Sequence, residues 1–185
     1  MKRILLVAVA AAVAAAPLAP SGSASAQTEH PIQVSLVTPI QVFPEGDPIR
    51  GLRLSFFYGR SASVTGLDIG LVSHTTSYFK GVQFGLAGLA EGTFKGAQLN
   101  QVNLVKGSMH GFQWGFVNAF DDGNGLQLGG VNVAQMSHRG LQIGVVNYAN
   151  TLSGVQIGII NIIRHGAAVP VLPIVNWAGL DEGSR

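Results

Sequence analysis

The chain of 185 residues contains no cysteine, so no disulfide bond can stabilise any part of it. Charge is also scarce: only 11% of the residues are Asp, Glu, Lys or Arg, about half the usual share. No run of Lys and Arg occurs, and we therefore expect no nucleic-acid partner. A surface so poor in charge either meets lipid or a partner, or uses amides and glycine in place of charged groups.

The first 26 residues have the features of a secretory signal peptide. A basic start containing Lys2 and Arg3 precedes the apolar stretch 4–16, which is too short to span a bilayer, and small residues before Gln27 suit cleavage there. Removing Lys2 and Arg3 from the 11 basic residues leaves nine, which balance the nine acidic ones, so the mature chain is neutral rather than +2. We expect an exported protein, located at the cell surface, in the outer membrane or in the periplasm.

The rest of the sequence is a repeat in which a glycine recurs at every fourteenth or fifteenth position. Each unit begins at such a glycine, and its usual pattern is Gly, apolar, Gln, apolar, Gly, apolar, apolar, Asn. The unit glycines are Gly51, Gly66, Gly81, Gly96, Gly111, Gly125, Gly140 and Gly154, the recurring glutamines are Gln83, Gln98, Gln113, Gln127, Gln142 and Gln156, and the recurring asparagines are Asn103, Asn118, Asn132, Asn147 and Asn161. A fixed period over eight units indicates stacked structural repeats.

The units are predicted to be β-strands rather than helices. Two glycines per unit would each cost a helix about 1 kcal/mol, and the apolar residues alternate with a period of two. Short apolar-polar-apolar triplets also recur every five residues, which favours a coil with three short sides. We therefore predict an all-β fold, a β-solenoid of 14–15-residue coils in which like amides stack as ladders.

The direction in which the amides point is an open choice in the sequence. Gln142 and Asn147 are five residues apart, so a straight strand would place them on opposite faces. A bend near Gly144 would turn both amides outward and their apolar neighbours inward, and we take the Gln and Asn columns as the candidate binding surface. On this interpretation Ile143→Asp should unfold neighbouring coils, whereas Gln142→Ala should cost only about 1 kcal/mol.

The repeat also predicts the organisation of the chain. Residues 27–50, rich in proline, are expected to form an N-terminal cap with the first strands, and residues 51–166 to form the repeat array. Residues 167–178 would be the C-terminal cap, in which "PIVNW" resembles a last, half-finished unit because Asn176 lies fifteen residues after Asn161, and residues 179–185 would be a tail.

A second architecture fits the same pattern. Ten segments of about ten residues between 32 and 177 could instead form a ten-stranded outer-membrane β-barrel, acting as a small channel or scaffold. In that case the apolar columns would contact lipid; they include Leu71, Leu86, Phe116, Val145 and Ile159.

The five-residue rhythm is loosely similar to that of pentapeptide-repeat solenoids. The chain from Pro31 to Trp177 resembles a family of exported bacterial surface-repeat proteins. The resemblance rests on "PIQVSLVTPIQVFPE", "GLRLSFFYGR", "VTGLDIGLV", the Gly-x-Gln-x-Gly-x-x-Asn units and "PVLPIVNW", in that order. It implies export and surface or outer-membrane association, and it brings no activity, substrate or catalytic residue.

No residue pattern indicates catalysis. The five histidines share no column, so we expect no metal site, and we expect no cofactor and no catalytic residue. Phe112, Trp114, Phe116 and Phe120 are assigned mainly to interior packing rather than to a binding stripe.

The sequence therefore favours a non-enzymatic repeat protein that presents a regular Gln, Asn and apolar surface. It would bind an unknown surface ligand or associate with itself, and it would contact the outer membrane. An ice-binding solenoid would require a flat face rich in threonine, which the Gln, Asn and Gly columns do not provide.

Overall fold

The structure is a computed structural model that describes residues 28–179, and over this range it contains strands and no helix. The strands are β1 (His30–Val37), β2 (Ile40–Gln41), β3 (Ile49–Ala90), β4 (Thr93–His165) and β5 (Val171–Ala178). Among these residues there is accordingly no helix long and apolar enough to cross a membrane. The predicted signal peptide and the residues after 179 lie outside the described residues.

Strands β3 and β4 are wound into stacked coils, and each coil corresponds to one repeat unit of the sequence. They pair in parallel with a constant offset of one unit, so that Gly81 lies opposite Gly96 and Gln83 opposite Gln98. A parallel register between consecutive segments is the geometry of a solenoid, because the up-and-down barrel would pair successive segments in antiparallel fashion. The predicted β-solenoid is confirmed, and the ten-stranded barrel is wrong.

The period is set by a column of glycines at one corner of the coil. All eight unit glycines adopt φ between +131° and +151°, which residues with a side chain rarely adopt. From Gly66 onward each glycine also lies directly against the one in the coil before it. A Cβ added at Gly66, for example, would overlap the carbonyl oxygen of Gly51. Glycine is therefore required at this corner by both conformation and space.

The predicted inside and outside are reversed for the amides. In the coil that starts at Gly140, Gln142 is buried and Ile143 is only half-buried, and the alternation then slips by one residue at Val145 and Val146, so that Asn147 is buried as well. Gly144, the predicted bend, faces the interior beside the Asn132 side chain. The bend follows Val145, and both amides point inward.

The remaining interior of the array is mainly apolar and forms two columns. One lies at the ninth position after the unit glycine and contains Ala90, Val105, Phe120, Ala134, Ala149 and Ile163. The other lies at the twelfth or thirteenth position after it and contains Val64, Phe79, Phe94, Met109 and Leu152. Phe79 and Phe94 stack with their ring centroids 4.4 Å apart. The core is thus shared between the two apolar columns and the two amide columns.

Different strands cover the two ends of the coil stack. At the N-terminal end β1 pairs in parallel with β3, with Gln33 opposite Arg53, and β2 folds back on β1. At the C-terminal end β5 runs antiparallel to the last coil, with Asn176 opposite Gln156. Asn176 therefore does not belong to another parallel unit, and the predicted last partial unit is wrong: the chain reverses direction between the end of β4 at His165 and the start of β5 at Val171, a stretch that contains Pro170.

Candidate functional site

The predicted binding columns form the ladders expected of them, but inside the solenoid. The glutamines Gln83, Gln98, Gln113, Gln127, Gln142 and Gln156 and the asparagines Asn103, Asn118, Asn132, Asn147 and Asn161 are all 0–1% exposed. Buried amides are tolerated because every ladder member shares a hydrogen bond with the amide in a neighbouring coil, as donor, acceptor or both. These eleven side chains cannot contact a ligand at the surface, so their assignment to a binding face is wrong.

The glutamine ladder has a fixed direction. Each Nε2 donates to the Oε1 of the glutamine one coil earlier, over distances of 2.6–3.0 Å from Gln156 back to Gln83. Gln83 then donates to Oδ2 of Asp68 at 2.9 Å. A carboxylate only accepts hydrogen bonds, so Asp68 determines the orientation of the whole row.

The asparagine ladder runs in the opposite direction. Each Nδ2 donates to the Oδ1 of the asparagine one coil later, at 2.8 Å in all four steps from Asn103 to Asn161. The same Nδ2 groups also donate to main-chain carbonyls of the next coil, for example from Asn132 to Ile143 at 2.9 Å. Carbonyl oxygens accept only, so this ladder is oriented by the backbone.

A buried ion pair ends the glutamine ladder at the first two coils. Arg53 and Asp68 occupy the glutamine position of their units, both side chains are 0% exposed, and the guanidinium meets the carboxylate through two bonds of 2.6 and 2.8 Å. Arg53 also donates to the carbonyl oxygen of His74 at 3.0 Å. The sequence carries a signal for this pair, because Arg53 and Asp68 have opposite charges and lie one repeat period apart in the glutamine column.

A second hydrogen-bonded chain lies beside this ion pair. The Tyr58 hydroxyl lies 2.8 Å from Nδ1 of His74, whose Nε2 lies 2.9 Å from Oε1 of Glu91. Since the Glu91 carboxylate accepts, Nε2 carries the proton and Nδ1 accepts from Tyr58. Burial raises the pKa of Tyr58 and lowers the pKa of His74. Together these groups fill the first coils, where the amide ladders are incomplete.

His138 replaces an apolar side chain in the interior. It occupies the column of Phe94 and Met109, it is 2% exposed, and its ring lies 5.2 Å from that of Phe120. Burial lowers the pKa of His138 to about 4 from an ordinary value of 6.5. Burial therefore disfavours the charged form of this side chain in the packed coil.

We expect the protein to lose about 2 kcal/mol of stability between pH 7 and pH 5 because of His138. Between its folded pKa of about 4 and its unfolded pKa of 6.5, only the unfolded chain takes up the proton, so stability falls as the pH falls. Urea unfolding at both pH values measures the loss. The His138→Met variant, which copies the occupant of the column at Met109, should lack this part of the loss; an unchanged pH dependence would contradict this assignment.

The exterior of the coils carries the apolar side chains that the ladders exclude from the core. Outward positions one, three, five and six after each unit glycine, together with position eight from the third coil onward, form what we call the apolar surface. Its most exposed column, at position five, includes Phe56, Leu71, Leu86, Phe116, Val145 and Ile159, which are 46–67% exposed. Five of these residues were predicted to contact lipid in the barrel; here they lie on a solenoid.

A groove crosses the first three coils of the apolar surface. It has a volume of about 580 Å³, and its walls are the position-three and position-five side chains Leu54, Ile69 and Phe84, and Phe56, Leu71 and Leu86. The inward-facing Ser55, Gly70 and Gly85 lie between the walls. Small residues at position four thus leave a shallow apolar channel across the stacked strands.

The predicted interior placement of the four aromatic residues is correct only for Phe120, which is 2% exposed. Trp114 is 47% and Phe116 67% exposed, at positions three and five of the apolar surface, and Phe112 is half-buried at position one. The prediction is wrong for the other three aromatic residues because positions two and four of this unit, Gln113 and Gly115, face inward, and positions one, three and five face outward.

Charge is confined to the rest of the coil, which we call the charged side and which begins at the ninth position after each unit glycine. Between residues 51 and 166 every Asp, Glu, Lys and Arg lies on the charged side except the buried Arg53 and Asp68. The apolar surface therefore contains no exposed charge over eight units.

Among residues 28–179 there is no group of three or more His, Asp or Glu side chains placed to hold a metal ion. Comparison with protein-family models, with curated proteins and with solved structures found no match to this chain.

Proposed function

We propose that this chain is a non-enzymatic, exported repeat protein that acts by binding or assembly at the bacterial cell surface through its apolar surface. The observation that carries the proposal is the separation of charge from apolar side chains along the entire array. Contiguous exposed apolar patches of this extent are typical of interaction sites rather than of free surfaces.

The interior explains how such a surface can be rigid. The two amide ladders and the glycine column hold each coil in register with the next, so outward side chains at one position form straight columns. A rigid array loses little conformational entropy when it binds, and repeated contacts along one column add up. The ladders thus lie in the interior and fix the positions of the side chains that form the interaction surface.

Cell fractionation tests the proposal. We expect the protein, expressed from its full sequence in a Gram-negative host, to fractionate with the cell envelope or as an assembly. Replacing Leu71, Leu86, Phe116 and Val145 by serine should move it to the soluble, monomeric fraction, because these side chains belong to the most exposed column of the apolar surface.

The matched control replaces four threonines outside the apolar surface by serine, at Thr65, Thr76, Thr93 and Thr151. This variant should fractionate like the unmodified protein. Identical, soluble and monomeric behaviour of all three proteins would contradict the proposed function, provided that circular dichroism shows equal β content.

A further inference from the structure

The apolar surface has two different margins. The margin formed by the residue directly before each unit glycine contains Arg50, Thr65, Lys80, Lys95, His110, Asn124, Arg139 and Ser153, and no acid. The opposite margin, at the tenth position after the glycine, contains Ser61, Thr76, Glu91, Lys106, Asp121, Gln135, Asn150 and Arg164, which mix both signs. We call the first the basic margin and the second the mixed margin.

The basic margin carries a local electrostatic cost. Lys80 and Lys95 lie directly opposite each other in neighbouring parallel coils, and both are exposed, as is Arg139. Like charges placed opposite each other in a sheet are destabilising. Within residues 28–179 none of the three forms an ion pair, whereas Arg50 pairs with Glu29 at 3.1 Å. A row of unpaired cations beside an apolar surface suits an anionic partner.

We infer that the apolar surface and its basic margin dock on an anionic phospholipid bilayer, with the apolar columns in the acyl boundary and Lys80, Lys95 and Arg139 at the headgroup phosphates. This inference rests on the proposed function and names its partner. Peripheral binding of this kind combines buried apolar area with cationic residues at the rim.

Charge complementarity favours lipid over a second copy of the chain. The acids on the charged side of the array, Glu91, Asp121 and Asp122, all lie at or next to the mixed margin, where Lys106 and Arg164 alternate with them. The described repeat array of a second copy therefore offers no acidic row to meet the basic margin, whereas an anionic bilayer presents phosphates at every position along it. The groove between the position-three and position-five side chains of the first three coils lies on the same surface and is open to acyl chains.

Vesicle sedimentation with matched double variants tests the inference. We expect the purified protein to bind vesicles of phosphatidylcholine with added phosphatidylglycerol much more tightly than vesicles of phosphatidylcholine alone. The variant Lys80→Gln with Lys95→Gln should bind the anionic vesicles about 30-fold more weakly, since each cation at a membrane surface contributes several-fold to binding. Raising the salt concentration should shrink the difference.

The control variant, Lys106→Gln with Arg164→Gln, removes the same charge from the mixed margin and should change binding by less than about three-fold. Equal losses in the two double variants, or equal binding to neutral and anionic vesicles, would overturn the inference.

The experiment separates this inference from the proposed function. A protein that binds neither kind of vesicle, but self-associates until Leu71, Leu86, Phe116 and Val145 are replaced by serine, overturns the lipid partner and leaves binding through the apolar surface standing. A protein that binds no vesicles, remains monomeric and fractionates with the soluble proteins of the cell overturns both.

Discussion

The Gln142→Ala variant is expected to lose about 4 kcal/mol of folding free energy, whereas the Ile143→Asp variant should lose about 1 kcal/mol or less. Gln142 donates to Gln127 at 2.6 Å and to the Tyr148 carbonyl at 3.2 Å, and accepts from Gln156 at 2.7 Å. Alanine would leave these buried groups without a partner and open a cavity. Ile143 lies on the outside, where a carboxylate reaches water.

Urea unfolding followed by circular dichroism measures both losses. The Gln142→Met variant is a useful control, because it keeps the volume of the side chain and removes only its hydrogen bonds. It should be nearly as unstable as Gln142→Ala if the ladder matters more than packing. If Ile143→Asp lowered the free energy of unfolding more than Gln142→Ala, the amides would have to point outward, and the structure would be contradicted.

The Gly111→Ala variant is expected to be the most destabilised single substitution, losing about 4 kcal/mol or more and failing to form the neighbouring coils. Its φ of +135° is unfavourable for alanine, and the added Cβ would overlap the carbonyl oxygen of Gly96. That oxygen belongs to the backbone of the adjacent coil, so relief requires separating two coils that share both ladders.

The Gly46→Ala variant provides the control for Gly111→Ala. Gly46 is exposed before the first coil, and an added Cβ would meet no atom within 4 Å. We expect a change of about 0.5 kcal/mol or less there. Thermal unfolding of the two variants side by side measures the difference, and equal melting temperatures would show that the glycine column is not a steric requirement.

The coil itself could be predicted because its cause is local and repeated. A glycine with positive φ at the start of every unit, with the same amides at fixed distances after it, leaves little choice about which residues stack. Gln83, Gln98 and Gln113 were expected to pair with one another, and they do. The prediction was wrong only in placing this ladder on the outside of the solenoid instead of in its interior.

The amides were predicted to point outward because apolar side chains normally fill the interior of a protein, and this prediction was wrong. A single buried glutamine is unfavourable, but Gln142 is satisfied by the glutamines one unit before and one unit after it, a compensation that appears only once the coils are stacked. The same error misplaced Trp114 and Phe116. The candidate binding surface is therefore formed by the apolar residues between the amides and not by the amides themselves.

The opposed directions of the two amide ladders have a consequence for the evolution of the array. One row of side-chain dipoles points toward the first coil and the other toward the last, so adding a coil adds little net dipole along the axis. A duplicated unit inserted in the middle would find the same donors above and acceptors below as its parent, while Asp68 and Arg53 still end the glutamine row. The number of units can therefore change by internal duplication or loss without any redesign of the ends, and the extent of the exposed surface changes in proportion.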